Sequence, residues 1–249
     1  MKEFEITSVK AYPVEIPLKP FKVGGIGPYK TSHGQETSSK SLIIEVQTDK
    51  GITGWGEMQM LMEPDIFKVL VEKELGQKVI GMNPFNLEKI KKKISFDISV
   101  QFFQAPVFTA GIEVACWDIM GKSLGVPISQ LLGGRTREAI SISYCLGFWP
   151  PDKIEERAAQ VRKDGYETLK LKGGKDIELD VERVRAARRG GGKGLNIRVD
   201  HNQSLDVARA IEFLKLVEDQ NLQYTEQPLP VSSFSNLASL RSKVFTPIA

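Results

Sequence analysis

The fold is decided by residues 168–202, TLKLKGGKDIELDVERVRAARRGGGKGLNIRVDHN, which contain two short apolar runs around a charged segment. The first run, 168–172, alternates polar and apolar residues, and the last, 195–200, is rich in β-branched residues, so both predict strands. Between them, Ile177, Val181 and Val184 recur at helical spacing. A strand, a helix and a second strand in this order predict two parallel strands joined by a crossover helix.

The same alternation continues on both sides of this stretch. Further strands are predicted at 140–146, 222–225 and 244–248, and helices at 153–163, 207–217 and, more weakly, around 237–240. Repeated β/α units of this kind form either a doubly wound sheet or a (β/α) barrel, and the pattern alone leaves both open.

The preceding residues have a different organisation. Strands are predicted at 6–14, 41–48 and 53–57, and helices follow through 66–73 and 112–124. Strands followed by helices are typical of an α+β domain. We therefore predict an α+β domain over residues 1–135 and a parallel β/α domain over residues 136–249.

Composition excludes several classes of protein. The 249 residues carry 34 basic and 31 acidic side chains, a net charge of +3, which favours neither nucleic-acid nor membrane partners. No apolar run is long enough to span a membrane, and the N-terminus lacks the apolar core of a signal peptide. The two cysteines, Cys116 and Cys145, form no C-x-x-C pair. We expect a globular protein of a reduced, cytoplasmic compartment.

Polar residues stand where three consecutive predicted strands end. Parallel β/α folds place their sites at the C-terminal ends of strands, and neighbouring strands lie about 4.8 Å apart. Two bare carboxylates at that distance would repel each other, so Asp200 and Glu226 are predicted to share a cation. Oxygen ligands alone favour Mg²⁺, with Mn²⁺ as the alternative.

The lysines that end the preceding strand fall on one face because strand side chains alternate. Lys172 is predicted to act as the general base, since a nearby cation and partial burial both lower the pKa of a lysine. Lys170, two residues earlier on the same face of the strand, is predicted to help keep the pKa of Lys172 low and to contact a substrate carboxylate. The metal would neutralise the enolate left when a proton leaves the carbon next to a carboxylate.

Each of these residues also has an ordinary structural interpretation. A strand-end lysine is commonly a solvated terminus, Asp200 could cap a turn, and Glu226 could be a loop carboxylate. His201 should point away from the face of Asp200 and pack inside, and Cys145 is expected in the core. The arginines Arg183, Arg185, Arg188 and Arg189 are expected on a solvated helix surface. The occurrence of these polar residues together, at the ends of three consecutive predicted strands, favours a catalytic site over the separate structural roles.

These motifs resemble the enolase superfamily, within its mandelate racemase and muconate lactonizing enzyme branch. The resemblance covers nearly the whole chain. It is carried by Gly54-Trp55-Gly56-Glu57, by residues 110–122 (AGIEVACWDIMGK), by Gln130-Leu131-Leu132-Gly133-Gly134, by Lys170-x-Lys172, by residues 199–206 (VDHNQSLD) and by Glu226-Gln227-Pro228.

The resemblance implies an α+β capping domain followed by a TIM-type (β/α) barrel that binds Mg²⁺ at its strand ends. It implies removal of the α-proton of a small carboxylate substrate through an enediolate, followed by racemisation, cycloisomerisation or dehydration of an acid sugar or hydroxy acid. It makes Asp200 and Glu226 metal ligands and Lys172 an acid/base. Asn202, Tyr29 and His33 are expected to contact substrate, the last two from a glycine-rich loop that is either flexible or a lid.

The family barrel has eight strands, and only about four and a half βα units follow residue 136. The family's third metal ligand and second acid/base are expected beyond Ala249, so we expect the front part of a longer lyase or isomerase. The alternative is a non-catalytic partial barrel that forms homo-oligomers through its open sheet edges.

Overall fold

The structure, a computed structural model, describes residues 4–20, 27–31, 34–60, 63–95, 105–174, 176–232 and 234–249. Its strands are β1 Ile6–Pro17, β2 Tyr29–Thr31, β3 Gly34–Glu36, β4 Ser38–Thr48, β5 Thr53–Met60, β6 Ser143–Leu146, β7 Thr168–Lys172, β8 Asn196–Asp200 and β9 Tyr224–Glu226. Its α-helices are α1 Pro64–Leu70, α2 Gly76–Val79, α3 Leu87–Ile94, α4 Ala105–Leu124, α5 Ile128–Leu131, α6 Pro151–Lys163, α7 Ile177–Gly191, α8 Val207–Leu216 and α9 Phe234–Arg241. A π-helical turn spans Val71–Leu75 and a 3₁₀ turn spans Glu218–Gln220.

The chain divides into two compact units, one of residues 1–17 and 38–138 and the other of residues 18–37 and 139–249. Residues 18–37 group with the second unit. No helix in the described ranges is both long and apolar enough to cross a membrane.

The first unit is built on an antiparallel sheet of order β1-β4-β5. Its core is formed by apolar residues of β4, among them Ile44, packed with residues of α4 such as Ile112 and Ile119, all fully buried. Helix α4 lies so close to β5 that a Cβ at Gly56 would overlap the carbonyl oxygen of Gly111. Gly56, the second glycine of the Gly54-Trp55-Gly56-Glu57 motif, is thus required by packing.

The second unit contains a parallel sheet of order β6-β7-β8-β9, with a helix after each strand. Leu169 and Leu171 of β7 and Ile197 and Val199 of β8 point into one apolar core with the helices. The intervening residues of these strands therefore point to the opposite face, which carries the polar strand-end side chains.

The predicted elements of the second unit have counterparts in the structure except at the ends of its sheet, whereas β2, β3 and α5 have no predicted counterpart and α4 begins at Ala105 rather than at Ile112. The first parallel strand begins at Ser143 rather than at Ile140, and residues 140 and 142 are exposed. The predicted strand at 244–248 is reduced to a single parallel bridge between Thr225 and Ile248. Hydrogen bonds from Thr225 N to Pro247 O and from Ala249 N to Thr225 O, both 2.9 Å, flank that bridge.

Candidate active site

The sheet register brings the predicted site residues side by side. Lys172 of β7 is in register with Asp200 of β8, which is in register with Glu226 of β9. Lys170 lies two residues before Lys172 and so points to the same face. Parallel strands that end at one level place the four side chains at one edge of the second unit.

The four side chains form a continuous network of ion pairs. Lys170 Nζ lies 2.9 Å from Asp200 Oδ2 and 2.8 Å from Glu226 Oε2. Lys172 Nζ lies 2.7 Å from the same Asp200 oxygen. Asp200 is buried, with 1% of its surface exposed, so its charge depends on these lysines.

The network shifts the pKa values of its members in opposite directions. Burial raises the pKa of Asp200, but hydrogen bonds from Lys172 and Lys170 outweigh burial and bring its pKa below the ordinary value. Burial lowers the pKa of Lys170, but its hydrogen bonds to Glu226 and Asp200 outweigh that effect and raise its pKa. The charged forms of both groups are therefore favoured.

The carboxylates converge on a point that a cation can occupy. The Lys170 ammonium bridges Asp200 Oδ2 and Glu226 Oε2, so a positive charge already sits between the two oxygens. The donors are carboxylate oxygens, the ligands that Mg²⁺ prefers. Within the described ranges no third Asp, Glu, His or Cys joins them to form a three-ligand cluster. Asp200 and Glu226 therefore fit two ligands of a Mg²⁺ ion.

Asn202, predicted to contact substrate, makes its contacts within the network. Its Oδ1 accepts a hydrogen bond from Lys172 Nζ at 2.6 Å, and its backbone N donates to Asp200 Oδ1 at 3.0 Å. It therefore orients the Lys172 ammonium, and the predicted substrate contact stays a prediction.

Tyr29 reaches the same sheet from the segment 18–37. Its hydroxyl lies 3.2 Å from the sulfur of Cys145, whose residue is in register with Lys170. Burial raises the pKa of Tyr29, so the phenol stays protonated. Cys145 is half-buried beside Tyr29 instead of enclosed in the core, which corrects the sequence expectation. His33 lies outside the described residues.

His201 packs inside the unit, as its position one residue after Asp200 predicts. It is fully buried, its ring meets that of Phe213 edge-on at 4.7 Å between centroids, and Nδ1 lies 3.3 Å from Thr225 Oγ1. Burial lowers its pKa to about 4, so it is neutral. A Cβ at Gly173 would overlap the His201 ring, which explains the glycine after Lys172.

Two domain families match almost the entire chain. Residues 16–133 match the N-terminal domain of mandelate racemase and muconate lactonizing enzyme, and residues 153–249 match the enolase C-terminal domain-like family. The chain is 32% identical to the N-succinyl-L-Arg/Lys racemase of Bacillus cereus over 98% of its own length and 65% of the racemase. It is 34% identical to the hydrophobic dipeptide epimerase of Enterococcus faecalis, over 86% of this chain and 60% of the epimerase.

Solved structures agree with the sequence matches. The structure of the Bacillus cereus racemase superposes with a TM-score of 0.89 at 31% identity, over 98% of this chain and 65% of that one. The structure of a Cytophaga hutchinsonii dipeptide epimerase, complexed with Mg and the dipeptide D-Ala-L-Val, superposes with a TM-score of 0.87 at 28% identity, covering 98% and 64%.

The chain belongs to the mandelate racemase and muconate lactonizing enzyme family of the enolase superfamily. The fold follows that family, with an α+β capping domain and the parallel strands of a TIM-type barrel domain. The chain spans 60–65% of the length of the first relatives it matches.

Two buried charged residues next to the loop that follows Lys172 are not predicted from the sequence. Arg183, predicted to be solvated, is buried and pairs with Asp180 at 2.7 Å. Asp180 Oδ2 also accepts from Gly174 N at 2.7 Å, which fixes the loop after Lys172. The sequence signal for this pair is an acidic residue three positions before an arginine in a helix. Exposed ion pairs have the same spacing, so the signal does not reveal burial.

Proposed function

We propose that this chain carries the metal-binding and proton-abstracting residues of a racemase or epimerase that acts at a carbon next to a carboxylate. The observation that carries the proposal is the network at the strand ends, in which Lys172 Nζ is held between Asp200 Oδ2 and Asn202 Oδ1 at 2.7 and 2.6 Å. A lysine fixed in this way beside a pair of carboxylates is suited to move a proton to and from a bound substrate.

In this proposal Asp200 and Glu226 hold the cation and Lys172 moves the proton. Mg²⁺, when bound, would offset the negative charge that develops on the substrate carboxylate as the proton leaves carbon. Lys172 in its neutral form takes that proton on Nζ, and Asn202 Oδ1 fixes the direction in which Nζ points. Lys170 supplies a second positive charge next to the carboxylates.

The proposed substrates are N-acyl amino acids and dipeptides, and the reaction is inversion at their α-carbon. The support comes from relatives named as an N-succinyl-L-Arg/Lys racemase and as dipeptide epimerases. Relatives named as cycloisomerases also match, at 26–27% identity. The dehydration of acid sugars or hydroxy acids, which the sequence motifs also suggested, is the competing outcome of the test.

The test follows the α-proton directly. The chain is incubated with Mg²⁺ in D₂O with N-succinyl-lysine, with D-Ala-L-Val and, separately, with an acid sugar, and ¹H NMR records loss of the α-proton signal. We expect exchange into an N-acyl amino acid or a dipeptide, and loss of that exchange in Lys172→Met. Lys163→Met, which removes an exposed lysine from the last turn of α6, is the matched control.

Three results would contradict the proposal. Exchange by Lys172→Met as fast as by the wild type would show that Lys172 is not the base. Absence of exchange with every substrate would contradict the proposed proton abstraction. Conversion of the acid sugar without exchange in N-succinyl-lysine or D-Ala-L-Val would indicate that the reaction is dehydration and not epimerisation.

A further inference from the structure

The turns that follow β8 and β9 contain unusual backbone conformations. Asn202, Gln203 and Gln227 have φ values of 44°, 68° and 42°, in the left-handed region that residues with a Cβ rarely adopt. Only one other non-glycine residue in the described ranges, Asn221, has a positive φ. Such conformations persist where surrounding interactions enforce them, and they concentrate at functional sites.

The surrounding interactions are hydrogen bonds between the two turns. His201 N donates to Glu226 O at 3.1 Å and Gln203 N donates to Gln227 O at 2.7 Å. The N–H of Gln203 therefore points toward the neighbouring turn. Its side chain adds a further bond, because Gln203 Oε1 accepts from Val231 N at 2.9 Å.

These bonds connect the two turns that directly follow the carboxylate-bearing residues of the candidate metal site. Gln203 follows Asp200 by three residues, and Gln227 directly follows Glu226. Asp200 and Glu226 are the last paired residues of β8 and β9, so the sheet holds them on one side only, and the turns hold them on the other. A cation with near-ideal octahedral geometry tolerates little error in that spacing.

We propose that Gln203 is a positioning residue for the cation site, and that it helps to fix the separation of Asp200 and Glu226 through the hydrogen bond that its side chain accepts from Val231 N. The inference rests on the proposed function of those carboxylates as metal ligands. Gln203 itself is exposed, so it contributes little to the core of the unit. Its side-chain bond therefore affects the geometry of the site more than the stability of the fold.

The test measures metal affinity apart from activity. Mn²⁺ is titrated into the protein, free Mn²⁺ is counted by EPR, and Mg²⁺ is then added as competitor. In Gln203→Gly the side-chain acceptor is lost while glycine accepts the positive φ without strain. In Gln203→Met the acceptor is lost while the length of the side chain is kept.

We expect both variants to bind Mn²⁺ about fivefold more weakly, the loss that corresponds to one net hydrogen bond holding a ligand. Their thermal unfolding midpoints should change little. Asn221→Gly is the matched control, since Asn221 is the left-handed residue that ends the 3₁₀ turn, away from the carboxylates in sequence. It should leave Mn²⁺ affinity unchanged.

Two results would overturn the inference. Wild-type Mn²⁺ affinity in Gln203→Gly and Gln203→Met would show that Gln203 does not position the carboxylates, while leaving the proposed metal site intact. Absence of Mn²⁺ and Mg²⁺ binding by the wild-type chain would refute the metal site itself, and this inference with it.

Discussion

At the scale of single residues, Lys170 has the clearest energetic role. Its ammonium satisfies Glu226 and the buried Asp200, so Lys170→Met leaves two carboxylates facing each other without it. We expect a loss of about 1–2 kcal/mol in the free energy of unfolding at pH 7, limited by the partial exposure of Lys170. Urea denaturation of both proteins measures it.

The effect of Lys170→Met should depend on pH in a defined direction. Because the folded-state pKa of Asp200 is lowered, its pairing stabilises the protein above the ordinary aspartate pKa of about 3.9 and is lost as pH falls through the lower folded value. The difference between wild type and variant should therefore disappear at strongly acidic pH. A constant difference would show that packing, not charge, is responsible. Lys153→Met, which breaks an exposed pair with Glu156, should change little at either pH.

The two cysteines should differ in reactivity. Cys116 is fully buried, and burial raises its pKa to about 12, so it has almost no thiolate near neutral pH. In Cys145→Ser, a thiol reagent such as DTNB at pH 8 should react only after denaturant is added. In Cys116→Ser, the half-buried Cys145 should react faster with the native protein. Rapid labelling of native Cys145→Ser would contradict the burial of Cys116.

The residues that could be predicted from the sequence are those placed by strand alternation alone. Asp200, Glu226, Lys170 and Lys172 follow from the ends of parallel strands and from the period of two. The contact of Tyr29 with Cys145 joins residues 116 positions apart and depends on where the segment 18–37 lies. No local pattern encodes such a contact.

At the scale of elements, α7 contains a buried ion pair, and the arginine of that pair joins the helix to the loop after β6. Arg183 Nη1 lies 2.7 Å from Asp180 Oδ1, and Arg183 Nε donates to Trp149 O at 3.0 Å. In Arg183→Met, Asp180 would remain buried without this partner, so we expect a loss of about 3 kcal/mol in chemical denaturation.

The same helix offers a matched control for that prediction. Arg185 pairs with Glu182 at 3.1 Å, also three residues apart, but both side chains are more than two-fifths exposed. Arg185→Met should therefore cost only a small part of the loss in Arg183→Met. Equal losses in the two variants would contradict the assignment of burial as the cause.

Elements were predictable where pattern and packing agree. Thr168–Lys172 has the predicted bounds because its alternating leucines enter the core of the second unit. At the sheet ends the pattern overestimates strand length, since Ile140, Ile142 and Phe245 are apolar but exposed. A strand needs a partner for its backbone, and composition does not reveal whether one is present.

At the scale of the whole molecule, the second unit exposes apolar side chains and open sheet edges together. Phe245 is 92% exposed, Phe234 80% and Ile140 77%. Among the described residues, β6 pairs only with β7, and Ile248 is joined to β9 by one bridge. Exposed apolar groups next to unpaired strand edges are typical association surfaces.

We therefore predict that the chain self-associates through this unit. Sedimentation velocity over a wide concentration range should show a dimer or larger species whose fraction rises with concentration. Ile142→Lys combined with Phe245→Lys should shift the equilibrium toward monomer, because a charge at an apolar contact must be desolvated. Ile66→Lys places the same charge at an exposed apolar position of α1 in the other unit and should have no effect. A monomer at every concentration would refute the prediction and leave the proposed proton-transfer site untouched, since the strand-end network is contained in one copy of the chain.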